Sequence, residues 1–165
     1  MERDAHMAEQ TTYTFITRSV GETQRLAETI GKMAEPGDVL TLSGDLGAGK
    51  TSFTQGLARG LGVPGVVNSP TFTIIKEYAG HLPLYHMDVY RMEDMGEDLG
   101  FDEYFYGDGM TVVEWPQMIA EQLPPERCDI VITRGDGEER TFVFTPYGSR
   151  YQIVCEAIAN EHPSN

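Results

Sequence analysis

The spacing of apolar residues changes along the chain and predicts a succession of strands and helices. Alternation within a segment rich in β-branched and aromatic residues, TTYTFIT at 11–17, predicts a first strand. Apolar residues three and four positions apart then predict a helix that begins after Ser19 and ends before the turn at 36–38. Ser19 and Glu22 have the spacing of a capping box, in which the hydroxyl and the carboxylate satisfy free backbone amides of the first turn.

Strands and helices continue to the C-terminal end. The patterns predict strands over 39–42, 71–78, 82–89 and 110–114, a hairpin of 128–133 with 140–145, and helices over about 50–61, 94–106, 116–123 and 152–159. Strand and helix alternate early and hairpins come late. We therefore expect one P-loop-type α/β domain with a mixed, mostly parallel central sheet, flanking helices and a late β-hairpin.

The ends of the chain carry less pattern than its middle. Residues 1–6 show no periodicity and precede a second methionine, Met7, so we interpret them as an artificial or disordered leader. The folded domain is then expected over 7–160, with a tail at 161–165. The length of 165 residues agrees with one domain.

Charge and composition exclude several functions. The chain has 12 basic and 26 acidic residues, a net charge of −14, whereas proteins that grip nucleic acid directly present a basic face. We expect no binding of DNA and a protein partner with a basic surface. No apolar run reaches the roughly 20 residues of a membrane span. Two cysteines, Cys128 and Cys155, make neither a disulfide framework nor a zinc motif, so a cytoplasmic location is expected.

The strongest chemical signal is the glycine-rich segment GDLGAGKT at 44–51. It matches the phosphate-loop pattern G-x-x-x-x-G-K-[ST] at every fixed position and lies between a predicted strand and a predicted helix. Backbone amides of such a loop surround phosphate oxygens, and the helix N-terminus faces them. Lys50 is predicted to reach the β- and γ-phosphates, and Thr51 to complete the Mg²⁺ shell. The predicted nucleotide-binding residues of the loop are Asp45, Leu46, Gly47, Ala48, Gly49, Lys50, Thr51 and Ser52.

Two carboxylates stand where predicted strands end. Asp88 ends the run at 84–88 and Glu114 ends the run at 110–114. Carboxyl ends of strands line the ligand crevice of an open α/β sheet, so both should lie beside the phosphate loop. A nucleotide hydrolase needs such a carboxylate for Mg²⁺ or for the attacking water, and the sequence leaves the division of these tasks open. The predicted catalytic residues are Lys50, Asp88 and Glu114, and the predicted metal ligands are Thr51, Asp88 and Glu114.

Thr71 and Trp115 are further candidates for contacts with a nucleotide. Thr71 follows a Ser-Pro turn and has the setting of a switch residue, although it also fits an ordinary strand start. Trp115 directly follows Glu114. Its ring could stack on a nucleotide, or it could simply pack against the protein.

Two missing features narrow the class of enzyme. The guanine-reading motif Asn-Lys-x-Asp does not occur, because no asparagine precedes a lysine. A small-molecule kinase usually carries an arginine-rich lid, yet 92–126 contain neither lysine nor arginine. ATP hydrolysis is therefore favoured. A small P-loop kinase, and a non-catalytic module that uses ATP to stabilise a protein interface, are the alternatives.

Taken together, the motifs resemble the bacterial TsaE (YjeE) family, the small ATPase of tRNA threonylcarbamoyladenosine (t6A) biosynthesis. The resemblance covers about 12–123. It rests on the phosphate loop and on SPTFT at 69–73, LYHMDVYR at 84–91, LGFDEY at 99–104 and VEWP at 113–116. The chain departs from the family pattern at Gln117, where an acidic residue is common.

The resemblance implies specific roles and partners. ATP would bind at the phosphate loop, with Mg²⁺ associated with Thr51 and Glu114. Asp88 is implicated in hydrolysis, Thr71 lies in a switch-like segment, and Trp115 lies near the nucleotide. The resemblance also implies a partnership with the TsaD–TsaB pair, which performs the transfer chemistry at position 37 of tRNA. ATP hydrolysis would reset that complex, and this chain would meet tRNA only indirectly.

Overall fold

The predicted strands come together in one seven-stranded sheet. The structure, a computed structural model, describes residues 11–45, 47–65, 67, 75–90 and 100–161. Its strands are β1 Tyr13–Thr17, β2 Val39–Ser43, β3 Ile75–Tyr78, β4 Leu84–Asp88, β5 Met110–Glu114, β6 Arg127–Arg134 and β7 Arg140–Tyr147. Its helices are α1 Val20–Lys32, α2 Lys50–Gly60, α3 Phe101–Phe105 and α4 Ser149–Glu161, with a 3-10 helix at Pro116–Gln122.

The order of strands puts β2 at the centre of the sheet. The order is β1-β7-β6-β2-β5-β4-β3. The central pairs β6–β2, β2–β5 and β5–β4 are parallel, and the outer pairs β1–β7, β7–β6 and β4–β3 are antiparallel. The predicted α/β class, mixed sheet and late hairpin are confirmed. A mostly parallel sheet was expected, but the described sheet has three parallel and three antiparallel strand pairs. The antiparallel pairs are the hairpins β3–β4 and β6–β7 and the pairing of β1 with β7.

Apolar side chains cover both faces of the central strands. Every residue of β5 is buried, and in β2 only the last residue, Ser43, is partly exposed. One core cluster packs α1, α2 and α4 against the sheet, and a second includes Phe101 and Phe105 of α3. Strands buried on both faces are typical of parallel sheets. Their rigid ends can hold side chains at fixed distances.

Several predicted elements are confirmed with shifted bounds. Ser19 caps α1, because its hydroxyl accepts from the Glu22 amide at 3.1 Å. The Glu22 carboxylate accepts from the Arg18 amide at 2.7 Å, one residue before the cap. The helix predicted at 116–123 is a 3-10 helix with a kink at Ile119. The leader 1–6, residues 71–74 of one predicted strand and most of the predicted helix before Phe101 lie outside the described residues.

In the described part of the chain no helix combines the length and apolar character needed to cross a bilayer. The longest helices there, α1 and α4, have 13 residues each, whereas a membrane span needs about 20.

Helices α1 and α2 pack backbone to backbone through glycines. A Cβ atom added to Gly56 would lie 2.4 Å from the Gln24 carbonyl oxygen, and one added to Gly31 would lie 2.5 Å from the Leu57 carbonyl oxygen. Backbone atoms within a helix cannot rotate away from such a clash. The two helices would have to separate, and α2 is the helix that begins at Lys50.

We therefore expect Gly56→Ala to lower the free energy of unfolding by about 2 kcal/mol, in the range known for overpacked cores. For a domain of this size that is a fall of about 4–8 °C in melting temperature. Gly21→Ala is the matched control in α1, because its Cβ would meet no atom closer than 3.7 Å. Alanine favours helix, so the control should melt no lower than the parent. Thermal denaturation measures both, and equal melting temperatures would contradict the close helix contact.

Candidate active site

Three strand ends meet at one edge of the sheet. Strands β2, β4 and β5 are parallel neighbours, so their carboxyl ends point the same way. Glu114 is the register partner of Leu42 on one side and of Asp88 on the other. The glycine-rich loop leaves the same end of β2. The fold thus places both strand-end acids beside the loop, in the position where ligands bind open α/β sheets.

A cavity of about 380 Å³ opens between the loop and these strand ends. Residues of the loop, the first turn of α2, both acids and two further side chains line it: Gly47, Gly49, Lys50, Thr51, Ser52, Asp88, Glu114, Trp115 and Arg140. Asp45 is exposed and Ala48 buried, and neither lines the cavity. Leu46 and Thr71, also predicted to contact nucleotide, lie outside the described residues.

The loop has the backbone of an anion site. Gly47 and Gly49 have φ values of 82° and 113°, which side chains rarely adopt. Between them the Ala48 amide donates to the Asp45 carbonyl at 2.9 Å. Gly49 is the N-cap of α2 and offers no side-chain cap. The first amides of a helix lack partners within the helix, and such amides attract phosphate.

Lys50 is a buried cation held over this loop. Its side chain is 9% exposed, and its ammonium donates to the Gly44 carbonyl at 3.0 Å. The same Nζ atom lies 4.0 Å from a Glu114 carboxylate oxygen and 4.7 Å from the centre of the Trp115 ring. A buried charge is stable only when paired and hydrogen-bonded. These three contacts fix the ammonium at the cavity wall.

Glu114 is fixed from two directions. Its residue is 4% exposed. One carboxylate oxygen lies 2.6 Å from Nε2 of His86, and the other lies 4.0 Å from Lys50. His86 is fully buried on β4, and its Nδ1 atom has no hydrogen-bond partner among the described residues. His86 faces Val112 in the register, so its ring reaches diagonally to Glu114, two residues along β5.

Asp88 is more accessible than Glu114. It is half-buried, and one carboxylate oxygen accepts from the Tyr90 amide at 3.2 Å. Burial raises the pKa of Asp88, and the neighbouring Glu114 charge raises it further. The Tyr90 amide, His86 and Lys50 oppose that rise in pKa. The two acids therefore differ. Glu114 is enclosed and paired, whereas Asp88 is half-exposed at the cavity and can accept further hydrogen bonds.

Trp115 adopts an unusual backbone conformation. Its φ of 62° is the one positive value at a non-glycine position in the described residues. For a bulky residue this conformation costs about 1–3 kcal/mol, and it persists where the surroundings fix it. Here the ring packs 4.8 Å from the Tyr90 ring and covers the Lys50 ammonium. The strained turn out of β5 thus closes one side of the cavity.

The family of this chain follows from the sequence match over this region. The profile described as "Threonylcarbamoyl adenosine biosynthesis protein TsaE" matches residues 17–142, which include the loop, both acids and Trp115. The chain belongs to the TsaE family.

Individual TsaE proteins are similar over most of the chain. The tRNA threonylcarbamoyladenosine biosynthesis protein TsaE of Bacillus subtilis is 61% identical over 139 residues, which are 84% of this chain and 88% of that protein. The protein of the same name from Treponema pallidum is 45% identical over 66% of this chain and 82% of its own length. A crystal structure of Bacillus subtilis YdiB superposes with a TM-score of 0.78 at 50% identity, covering 92% of this chain and 96% of that one.

Two residues of this TsaE site were not found from the sequence. His86 was missed because its partner, Glu114, belongs to another strand, although the spacing of His86 and Asp88 shows that both side chains lie on one face of β4. Arg140 was missed because β7 is far from the loop in sequence, yet its Nε atom donates to the Ala48 carbonyl at 2.9 Å. Gln117, the departure from the family pattern, is exposed and does not line the cavity.

Proposed function

We propose that this chain is an Mg²⁺-dependent ATPase that hydrolyses ATP slowly alone and supports formation of the threonylcarbamoyl group on tRNA adenosine together with the TsaD–TsaB pair. Family membership supports, in general terms, a P-loop ATPase-type enzyme and a role in t6A biosynthesis. The observation that carries the proposal is the single cavity that unites Lys50, Thr51, Asp88 and Glu114.

ATP would bind with its polyphosphate against the loop. The uncapped amides at the start of α2 and the Lys50 ammonium are positive groups on the wall of one cavity. Such groups stabilise charge that develops on a transferring phosphoryl group, because they are already oriented before the reaction begins. Lys50 is held by Gly44, Glu114 and Trp115 and needs little reorganisation for this role.

The side chains around the cavity fit a magnesium ion shared with phosphate. Thr51, Asp88 and Glu114 supply oxygen atoms, the ligands that Mg²⁺ prefers. No cluster of three or more His, Cys, Asp or Glu residues suited to a metal occurs in the described ranges. That agrees with the usual Mg²⁺ site of one or two carboxylates completed by water and substrate phosphates. Mg²⁺, when bound, supplies positive charge against the phosphate oxygens.

The two acids are proposed to divide the work according to their surroundings. Glu114, enclosed by His86 and Lys50, would hold the metal's ligand shell and keep the ammonium in place. Asp88, half-exposed at the cavity wall, would accept a hydrogen bond from the attacking water and orient it.

The charge of the chain supports a protein partner. A net charge of −14 favours a partner with a basic face and disfavours unaided binding of tRNA. Contact with tRNA through the complex, in the cytoplasm, is consistent with that charge and with the family's role.

Phosphate release from Mg·ATP, measured with and without purified TsaD–TsaB, tests the proposal, with Lys50→Ala as the blank. We expect low turnover alone and a rise of at least about tenfold with the pair, as for other partner-completed nucleotide sites. The rise should shrink at high salt if opposite charges bring the proteins together. Binding of ATP without hydrolysis under every condition would favour the interface module. Transfer of phosphate to a small molecule would favour the kinase.

A further inference from the structure

One arginine of the β6–β7 hairpin holds the phosphate loop. Arg140 Nε donates to the Ala48 carbonyl at 2.9 Å. Its Nη1 atom donates to the Gly137 and Glu139 carbonyls, both at 2.8 Å, within the turn of the hairpin. A single guanidinium thus connects the loop after β2 with the hairpin whose strand β6 pairs with β2.

The direction of the Ala48 carbonyl determines the direction of the next amide. The peptide between Ala48 and Gly49 is trans, as are all described peptides, so its C=O and N–H point to opposite sides. With the carbonyl held by Arg140, the Gly49 N–H points away from the guanidinium. If that peptide flipped, the loop would offer an arriving phosphate a carbonyl oxygen in place of a donor. Gly49 has no side chain to resist such a flip.

The loop is also packed against the Arg140 side chain at Gly49. A Cβ on Gly49 would lie 3.7–4.0 Å from Nε, Cγ and Cδ of Arg140, which is ordinary contact. Lysine could not replace these interactions, because one ammonium on a flexible stem lacks the planar set of donors that spans the loop and the hairpin turn.

We propose that Arg140 is a positioning residue, which orients the Ala48–Gly49 peptide so that the loop is organised for phosphate before the nucleotide arrives. This role rests on the nucleotide binding proposed above. It acts through the backbone of the loop, and it predicts an effect on the affinity for phosphate-bearing ligands.

The chain offers a matched control in Arg134. It is the register partner of Arg140 across the hairpin. Its Nη1 atom lies 3.5 Å from where a Cβ of Gly47 would be, so it brings the same charge to the same loop. The Arg134 side chain is exposed, and it makes no hydrogen bond or ion pair with the side chains or backbone that the structure describes, whereas its own backbone pairs within the hairpin. Arg134→Lys and Arg140→Lys both keep the charge, and only Arg140→Lys removes the bridge.

The test is a titration with ADP followed by the fluorescence of Trp115, the one tryptophan of the chain and a neighbour of Lys50. We expect Arg140→Lys to weaken ADP binding about tenfold or more, as for loss of a charge-assisted hydrogen bond, and Arg134→Lys to change the Kd less than about twofold. In phosphate release, Arg140→Lys should raise the KM for ATP about as much as the Kd and change kcat less than about threefold.

Each other outcome has a distinct meaning. If Arg140→Lys lowers the melting temperature yet binds ADP like the parent, its role is only structural and the inference fails. Equal weakening by both lysine variants would also overturn it, because the bridge would then be irrelevant. If the parent itself binds no ADP, the proposed function fails, and the inference fails with it.

Discussion

Replacement of Lys50 by alanine is expected to abolish measurable ATP binding and to lower phosphate release at least about a hundredfold, the size of effect seen when one oriented charge-stabilising group is removed. The variant removes a cation that three different groups hold at the cavity wall. It therefore removes attraction for phosphate at the point where the loop and the strand ends meet.

Glu114, the acid that pairs with Lys50, should make the loss of ATP binding in Lys50→Ala larger. Glu114 is 4% exposed, and without the ammonium its second oxygen faces the cavity as an uncompensated charge. A buried carboxylate beside a polyphosphate adds repulsion to the lost attraction. The effect of Lys50→Ala should thus exceed that of removing an ordinary surface cation.

Titration calorimetry with Mg·ATP measures this prediction. Lys32→Ala is the control, because Lys32 lies at the end of α1 with its side chain 67% exposed and forms a surface ion pair with Glu28 at 3.6 Å. It should bind ATP like the parent protein. Unchanged ATP affinity in Lys50→Ala would contradict both the proposed role of the ammonium and the proposed binding site.

The features that sequence could predict are local ones. The loop at 44–51 combines its glycines, lysine and threonine within eight positions, and the β-rich and apolar runs that end at Asp88 and Glu114 show where each strand stops. Parallel strands bring such ends together without any knowledge of side-chain contacts. That reasoning placed Lys50, Thr51 and both acids beside one another, as the structure has them.

The features that sequence could not predict depend on strand order. Arg140 reaches the loop only because β6 pairs with β2 and carries β7 with it, and no periodicity encodes that neighbour. The contact between His86 and Glu114 depends on the register of β4 with β5. The left-handed conformation of Trp115 depends on the packing around its ring. Long-range pairing, and not local pattern, determines all three.

The second large effect is expected from Asp88→Asn. This variant should lower kcat about a hundredfold and change ATP affinity less than about threefold, because such a pattern marks a group that acts mainly in the transition state. Asparagine keeps the shape and can still accept from the Tyr90 amide, so the local backbone should not change. What it loses is the charge of an oxygen that orients the attacking water. Phosphate release gives kcat, and titration calorimetry gives affinity.

Glu114→Gln should behave differently, because Glu114 contacts protein groups that Asp88 does not. Loss of its charge weakens the pair with Lys50 and alters the contact with His86, so ATP affinity and melting temperature should both fall together with kcat.

Asp108→Asn is the control for loss of an acid, since Asp108 is exposed, accepts from the Tyr85 hydroxyl at 2.7 Å and does not line the cavity. The opposite result would be full turnover in Asp88→Asn together with a Glu114→Gln variant that loses turnover but keeps its ATP affinity and melting temperature. In that case Glu114, and not Asp88, would orient the attacking water.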